Sequence, residues 1–241
     1  MKQRKSGILL ALSSLPGEFG IGGFGQEAYE FVDFLSRSKQ SLWQILPLGP
    51  IGKGNSPYGA TSSYAGNPLY IDLRQLEVVG LLTQEDLASA KRPPGKVDYE
   101  ELLESRYALL RKAYSNVGLS VDFLLADFCN HHGWIRDYAL YETLKGLYPD
   151  KDWWEWPEKY RHRDPKALAQ IEEEHRDEMN FWIFTQYFFF MQWKDLKNYA
   201  ASKNVSFFGD LPFYVPEDSV EVWVRPDLFL LGEDGRVAGT P

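Results

Sequence analysis

Between Gly49 and Asn67 the chain gathers Asn55, Ser56, Tyr58, Thr61, Ser62, Ser63, Tyr64 and Asn67, with Lys53 the one charged side chain among them. Neutral hydroxyls and amides beside aromatic rings suit a ligand that is itself neutral, rich in hydroxyls and flat on one side, and a sugar ring has those properties. A phosphorylated ligand would demand more cations. Gly, Pro, Asn and Ser also dominate turns for backbone reasons alone, so the same composition fits a plain connecting loop. A second candidate is Asp210, a lone carboxylate in Gly209-Asp210-Leu211-Pro212, just past the apolar run 205–208. A helix cap or turn former would look the same there.

These groups need strands to carry them. Residues 42–46 read as a buried strand, and Pro47, Gly49, Pro50, Gly52 and Gly54 then forbid regular continuation, so a strand end opens into the polar loop. Residues 7–12 read as an earlier buried strand. Between the two lies a helix over 26–38, with Ala28, Phe31 and Leu35 on one face, which makes a right-handed parallel unit the economical topology. Residues 205–208 form a third strand. A carboxylate past the end of such a strand is where an eightfold β/α barrel keeps its functional groups.

Residues 69–73 read as extended, and helices follow. Thr83 with Asp86, and Asp98 with Glu101, have capping-box spacing. Leu103, Tyr107, Leu110 and Tyr114 recur at helical intervals, as do Leu140, Leu144 and Leu147 before Pro149. Asp164-Pro165 opens a long helix reaching about 202. In it Phe181, Phe184, Phe188 and Met191 form one stripe and Trp182, Phe189 and Trp193 another, the pattern of a helix buried from both sides. Trp153, Trp154 and Trp156 lie in a charged, Pro-flanked segment where indoles could stack on sugars or fill a core.

Composition narrows the function. Lys and Arg number 26 against 34 Asp and Glu, a net charge of -8 that disfavours phosphate backbones, so nucleic acid is not expected as a partner. Cys129 is the single cysteine, which excludes an internal disulfide and fits a reducing compartment. Residues 7–12 are too short for the apolar part of a signal peptide, and no apolar run is long enough to span a membrane, so a cytoplasmic location is expected. Cys129, His131 and His132 lack a well-spaced fourth ligand, and no metal is expected. Gly20-Ile21-Gly22-Gly23-Phe24-Gly25 matches the dinucleotide fingerprint by letters. It does not follow its strand directly and lacks an acidic residue at the end of the next one, so no nucleotide or other cofactor is expected.

Several motifs in fixed order go further. Leu46-Pro47-Leu48-Gly49-Pro50, Asn55-Ser56-Pro57-Tyr58 and Ser62-Ser63-Tyr64-Ala65-Gly66-Asn67-Pro68 closely resemble the amylomaltase (4-alpha-glucanotransferase) family. So do Gly7-Ile8-Leu9-Leu10, Ser13-Ser14-Leu15-Pro16-Gly17 and Gly20-Ile21-Gly22 before them. Trp134 with Asp137-Tyr138-Ala139-Leu140, Trp156-Pro157, Gly209-Asp210-Leu211-Pro212, Asp218-Ser219 and Val222-Trp223 continue the likeness.

The resemblance implies the N-terminal part of a TIM-type (β/α)8 barrel, about three barrel strands with a large inserted helical subdomain. Residues 1–75 would hold the first two β/α units and the sugar loop, 76–203 the insertion, and 204–241 the third strand and following loop. It implies an α-1,4-glucan or maltodextrin substrate contacted by Ser56, Tyr58 and Asp210, with Tyr99 near a secondary glucan site. Ala11 and Gly23 depart from the family, which usually has histidine and often aspartate there.

The family's chemistry is retaining transglycosylation, in which a carboxylate attacks the anomeric carbon while an acid about 5 to 5.5 Å away protonates the leaving sugar. Its nucleophile, acid/base and third aspartate follow later strands, so none is assigned here and the 241 residues alone are expected to be inactive. Unpaired barrel edges would be covered by self-association or by a complementing fragment. A non-catalytic α-glucan-binding module and an amylase-type barrel glycosidase are the alternatives.

Overall fold

The computed structural model describes residues 4–93, 95–118 and 121–238, with backbone alone for 121–124. In chain order the elements are β1 (Gly7–Leu9), α1 (Gln26–Arg37), β2 (Leu42–Gln44), α2 (Leu73–Val78), α3 (Gln84–Ala90), α4 (Tyr99–Ser115) and α5 (Val121–His131). There follow α6 (Ile135–Leu147), α7 (Glu158–Arg161), α8 (Pro165–Glu174), α9 (Arg176–Ser202), β3 (Ser206–Phe208) and α10 (Val220–Val224). The chain forms two compact units. One comprises Met1–Leu48, Gly66–Val121 and Tyr187–Leu211, the other Gly49–Ala65, Asp122–Gln186 and Pro212–Pro241.

The first unit holds a parallel sheet in the order β1-β2-β3, with Ile8 opposite Trp43 and Trp43 opposite Phe207. Alternation along the strands explains its packing. Trp43 is fully buried, its ring 4.8 Å from that of Phe31 on α1 and 5.1 Å from Phe207, and its Nε1 donates to the Leu10 carbonyl at 2.9 Å. Phe207 in turn meets Trp193 of α9 at 4.6 Å. Leu9 and Phe208, one step along, are exposed. The strands are shorter than their apolar runs because Leu12–Ser14 tightens into a 3-10 turn and Pro47 ends the second.

Residues 69–73 are extended only at Ile71 and Asp72, between a 3-10 turn that takes Leu69 and Tyr70 and the start of α2 at Leu73. Asn67 Oδ1 accepts the Leu69 N–H at 3.0 Å to start a 3-10 turn over Pro68–Tyr70, and Asp72 caps α2 through the Arg74 N–H at 3.3 Å. Two caps a few residues apart convert an apolar run into successive turns. Thr83 and Asp86 form a reciprocal capping box. Asp98 accepts the Glu101 N–H, but the Glu101 carboxylate goes to Arg92 at 2.9 Å instead of back to the cap.

On α4 the buried stripe is Leu102, Arg106, Leu110 and Ala113, whereas Leu103, Tyr107 and Tyr114 are half-buried. A charged residue at its centre disguised it. The Arg106 guanidinium donates to the Ile71 and Phe19 carbonyls at 2.9 and 3.1 Å, and burial lowers its pKa to about 10.

In the second unit α6 buries Tyr138, Leu140, Tyr141 and Leu144, but Leu147 is exposed. The helix expected from 164 to 202 is broken at His175. Glu172-Glu173-Glu174 opposes the dipole at the end of α8, and Asp177 and Glu178 suit the start of α9. Along α9 Phe181, Phe184, Phe188 and Phe189 are buried, as are Thr185, Gln186 and Gln192, so both faces are covered.

Trp153 and Trp156 are core residues. Trp153 Nε1 donates to the Glu217 carbonyl at 2.8 Å, and Trp156 packs against Tyr141 and Trp223 at 5.4 and 5.5 Å. Trp154 is half-buried under the Arg236 guanidinium. The rings of His131 and His132 bond the Asp127 and Phe128 carbonyls through Nδ1, each at 2.9 Å. Among the described residues no helix is long and apolar enough to cross a membrane.

Candidate functional site

The polar loop belongs to the second unit. Gly49 opens it because a Cβ there would lie 2.7 Å from that of Ala60 and 2.9 Å from the Ser62 carbonyl oxygen. The loop then folds back on itself. Thr61 N–H donates to the Pro50 carbonyl at 3.0 Å, Gly52 N–H to the Gly59 carbonyl at 3.1 Å, and Ile51 faces Ala60 in an antiparallel bridge. Gly54 and Asn55 turn the tip with φ of 88° and 57°, the left-handed region that glycine and asparagine tolerate best. Ser56 Oγ accepts the Tyr58 N–H at 3.3 Å and caps a turn over Pro57–Gly59. Ser56 and Tyr58 therefore stand on one short turn, and Tyr58 is 46% exposed.

Partners far along the sequence hold this loop. Ser62 Oγ donates to Glu221 Oε1 at 2.9 Å, and the same oxygen accepts the Ser63 N–H at 2.8 Å. Lys53 Nζ reaches Asp152 at 2.8 Å. Asp218 accepts from Tyr141 Oη at 2.7 Å, Lys145 Nζ at 2.8 Å and the Trp153 N–H at 3.2 Å, fixing the segment before α10. Burial and the Asp218 charge hold the Tyr141 phenol well above its ordinary value, so it stays a donor. Burial also raises Glu142 to about 7, against the pull of Lys145 and with Asp218 and Glu178 adding to the rise.

The other two expected site residues lie in the first unit. Asp210 is half-buried and follows β3 by a single glycine. Leu10 N–H donates to the Gln44 carbonyl and Ile45 N–H to the Phe208 carbonyl, both at 3.0 Å, so Asp210 lies beyond the carboxyl ends of parallel strands. That end of a parallel sheet is where ligands bind in α/β folds.

Tyr99 opens α4 and lines an open cavity of about 990 Å³ with Ser13, Glu18, Arg92 and Lys96. Behind it burial pushes the Tyr70 phenol up to about 12, with Tyr99 adding to the rise and Ser13 and Asn67 opposing it. The structure thus brings Ser56 and Tyr58 together on one loop and sets Asp210 and Tyr99 on two other elements. Sequence reasoning missed Glu221, Asp152 and Asp218 as supports, since nothing near them in the chain points to the loop.

The model of the 4-alpha-glucanotransferase family, glycoside hydrolase family 77, matches residues 10–241. The chain belongs to that family. The 4-alpha-glucanotransferases of Streptococcus pneumoniae and Clostridium butyricum are 42% and 40% identical to it, over 100% and 95% of this chain and 49% of each relative. That of Thermus thermophilus is 40% identical over 99% of this chain, again 49% of its own length. The solved amylomaltase from Streptococcus agalactiae in complex with acarbose superposes with a TM-score of 0.92 at 39% identity, covering 97% of this chain and 48% of that one. The amylomaltase of Corynebacterium glutamicum, 14% identical with a TM-score of 0.72 over 92% of this chain and 32% of its own, shares the fold. The chain spans about half the length of the 4-alpha-glucanotransferases it matches.

Proposed function

We propose that the protein transfers α-1,4-glucan segments between maltodextrins, and that Ser56, Tyr58 and Asp210 line its donor and acceptor sugar sites, with Tyr99 at a secondary glucan contact. Family membership along essentially the whole chain carries this reading. The residues support it chemically. A sugar offers hydroxyls to Ser56 and Asp210 and a C–H face to the exposed Tyr58 ring, and a carboxylate accepting a hydroxyl proton makes one of the stronger neutral-to-charged hydrogen bonds.

The transfer is a retaining double displacement. A carboxylate displaces the leaving glucan from the anomeric carbon, an acid protonates the departing oxygen, and the hydroxyl of a second glucan then displaces the carboxylate. No residue of these 241 is given the nucleophile or acid role, and the chain by itself binds glucan without turning it over. The sheet is read as the first three strands of a (β/α)8 barrel, with 1–75 and 204–241 carrying strands and loops and 76–203 inserted between them. Parallel order and a carboxylate beyond the strand ends support that reading. The protein works in the cytoplasm.

Maltotriose tests the proposal. A protein of the relatives' full length carrying these residues is expected to make glucose and longer maltodextrins with the number of reducing ends unchanged. A rise in reducing ends would make it a hydrolase of the amylase type. Transfer by the 241 residues alone would overturn the assignment of inactivity.

A further inference from the structure

Tyr64 is not used by the site above, although it stands on the same loop as Ser56 and Tyr58. It is 62% exposed, yet it is firmly held. Its backbone N–H and that of Ala65 both donate to Ser62 Oγ at 3.2 Å, and Ser62 is itself bonded to Glu221. The Val220 N–H of the same helix, α10, donates to the Thr61 carbonyl at 2.9 Å.

The Tyr64 ring runs nearly parallel to that of Trp134, with centroids 6.3 Å apart and planes inclined by 18°. Trp134 packs edge-on against Tyr138, which is buried in α6. Among the described residues none exchanges a hydrogen bond with the Tyr64 hydroxyl. Ordering a large side chain without burying it costs conformational entropy that folding does not return, whereas a rigid aromatic with a wet polar tip is well prepared to bind.

We propose that Tyr64, with Trp134 beside it, is an aromatic platform on which a maltodextrin stacks, extending the contact made at Ser56 and Tyr58. The inference rests on the glucan reading above. The surroundings specify the occupant. Thr61 and Ser63 offer neutral polar groups, and the carboxylate of Glu221 is engaged with the loop through Oε1. A chain of neutral hydroxyls with apolar ring faces matches such a surface.

Calorimetric titration of the 241-residue chain with maltotriose and maltoheptaose decides the matter. Tyr64→Ala is expected to bind maltoheptaose roughly five- to tenfold more weakly, with a smaller loss for maltotriose, while Tyr64→Phe, which keeps the ring and gives up only the hydroxyl, loses less than Tyr64→Ala does. Should Tyr64→Ala not fold, the Tyr64 ring resonances of the parent must shift on adding maltoheptaose. If Tyr64→Ala keeps full affinity while Tyr58→Ala loses it, the platform falls and the glucan reading stands. Equal losses for both sugars in Tyr64→Ala would make Tyr64 a prop for the loop and end the proposal. A parent chain that binds neither sugar overturns both readings.

Discussion

The two units hold their candidate residues by different means. In the first, Asp210 and Tyr99 are placed by regular structure: one follows the last residues of a parallel strand, the other is the first residue of a helix. In the second, Ser56 and Tyr58 ride on a loop whose shape depends on side chains about 100 to 160 positions away, Asp152 at one point and Glu221 at another. Backbone ladders repeat with every residue and tolerate the loss of one side chain. A loop held by a few side-chain bonds is as firm as each of those bonds, and that is where substitutions should move the site without unfolding the protein.

The largest effect should come from the strand-borne unit. Trp43→Ala removes a fully buried indole, its bond to the Leu10 carbonyl and its contacts with Phe31 and Phe207, and is expected to cost about 3–5 kcal/mol in denaturant unfolding. A loss below about 1 kcal/mol would mean that the sheet is not the core of its unit. Next comes Glu142 in the loop-bearing unit. Its folded pKa of about 7 lies above its ordinary 4.5, so the folded state binds the proton more tightly and its stabilising share fades as pH rises from 4.5 through 7. Glu142→Gln should therefore match the parent near pH 4 and exceed it by about 1–3 kcal/mol at pH 8. A parent that gains stability over that pH range relative to the variant would reverse the sign.

These differences also explain what could be read from the chain. The presence and order of β1, β2, β3 and α1 and the capping box at Thr83 were legible because their signals are local, although the strands are shorter than the apolar runs that announce them. The stripe on α4 was displaced because Arg106, an apparent surface residue, is buried by bonds to carbonyls of two distant segments. Likewise 69–73 read as extended throughout because apolar runs carry no period that distinguishes extended chain from successive capped turns. The supports of the polar loop could not be found, since a Ser62 to Glu221 bond leaves no mark in spacing. The tryptophans at 153 and 156 were undecidable for the same reason: their partners Glu217 and Trp223 lie far downstream.

The smallest effects separate the two supports of the loop. Ser62→Ala removes the oxygen that accepts from Tyr64 and Ala65 and donates to Glu221, and is expected to cost about 1–2 kcal/mol while raising amide exchange across residues 61–65. Lys53→Ala should change stability by less than about 1 kcal/mol, because the Lys53 side chain is 85% exposed and its pairing with Asp152 is screened by water and salt. The informative quantity is the ratio of the two. If added salt loosens the loop in exchange experiments as much as Ser62→Ala does, the ion pair is the true anchor and the buried serine a bystander. If salt leaves residues 61–65 protected while Ser62→Ala does not, the loop is held from its buried end, and Lys53 does no more than limit the sway of the tip that carries Ser56 and Tyr58.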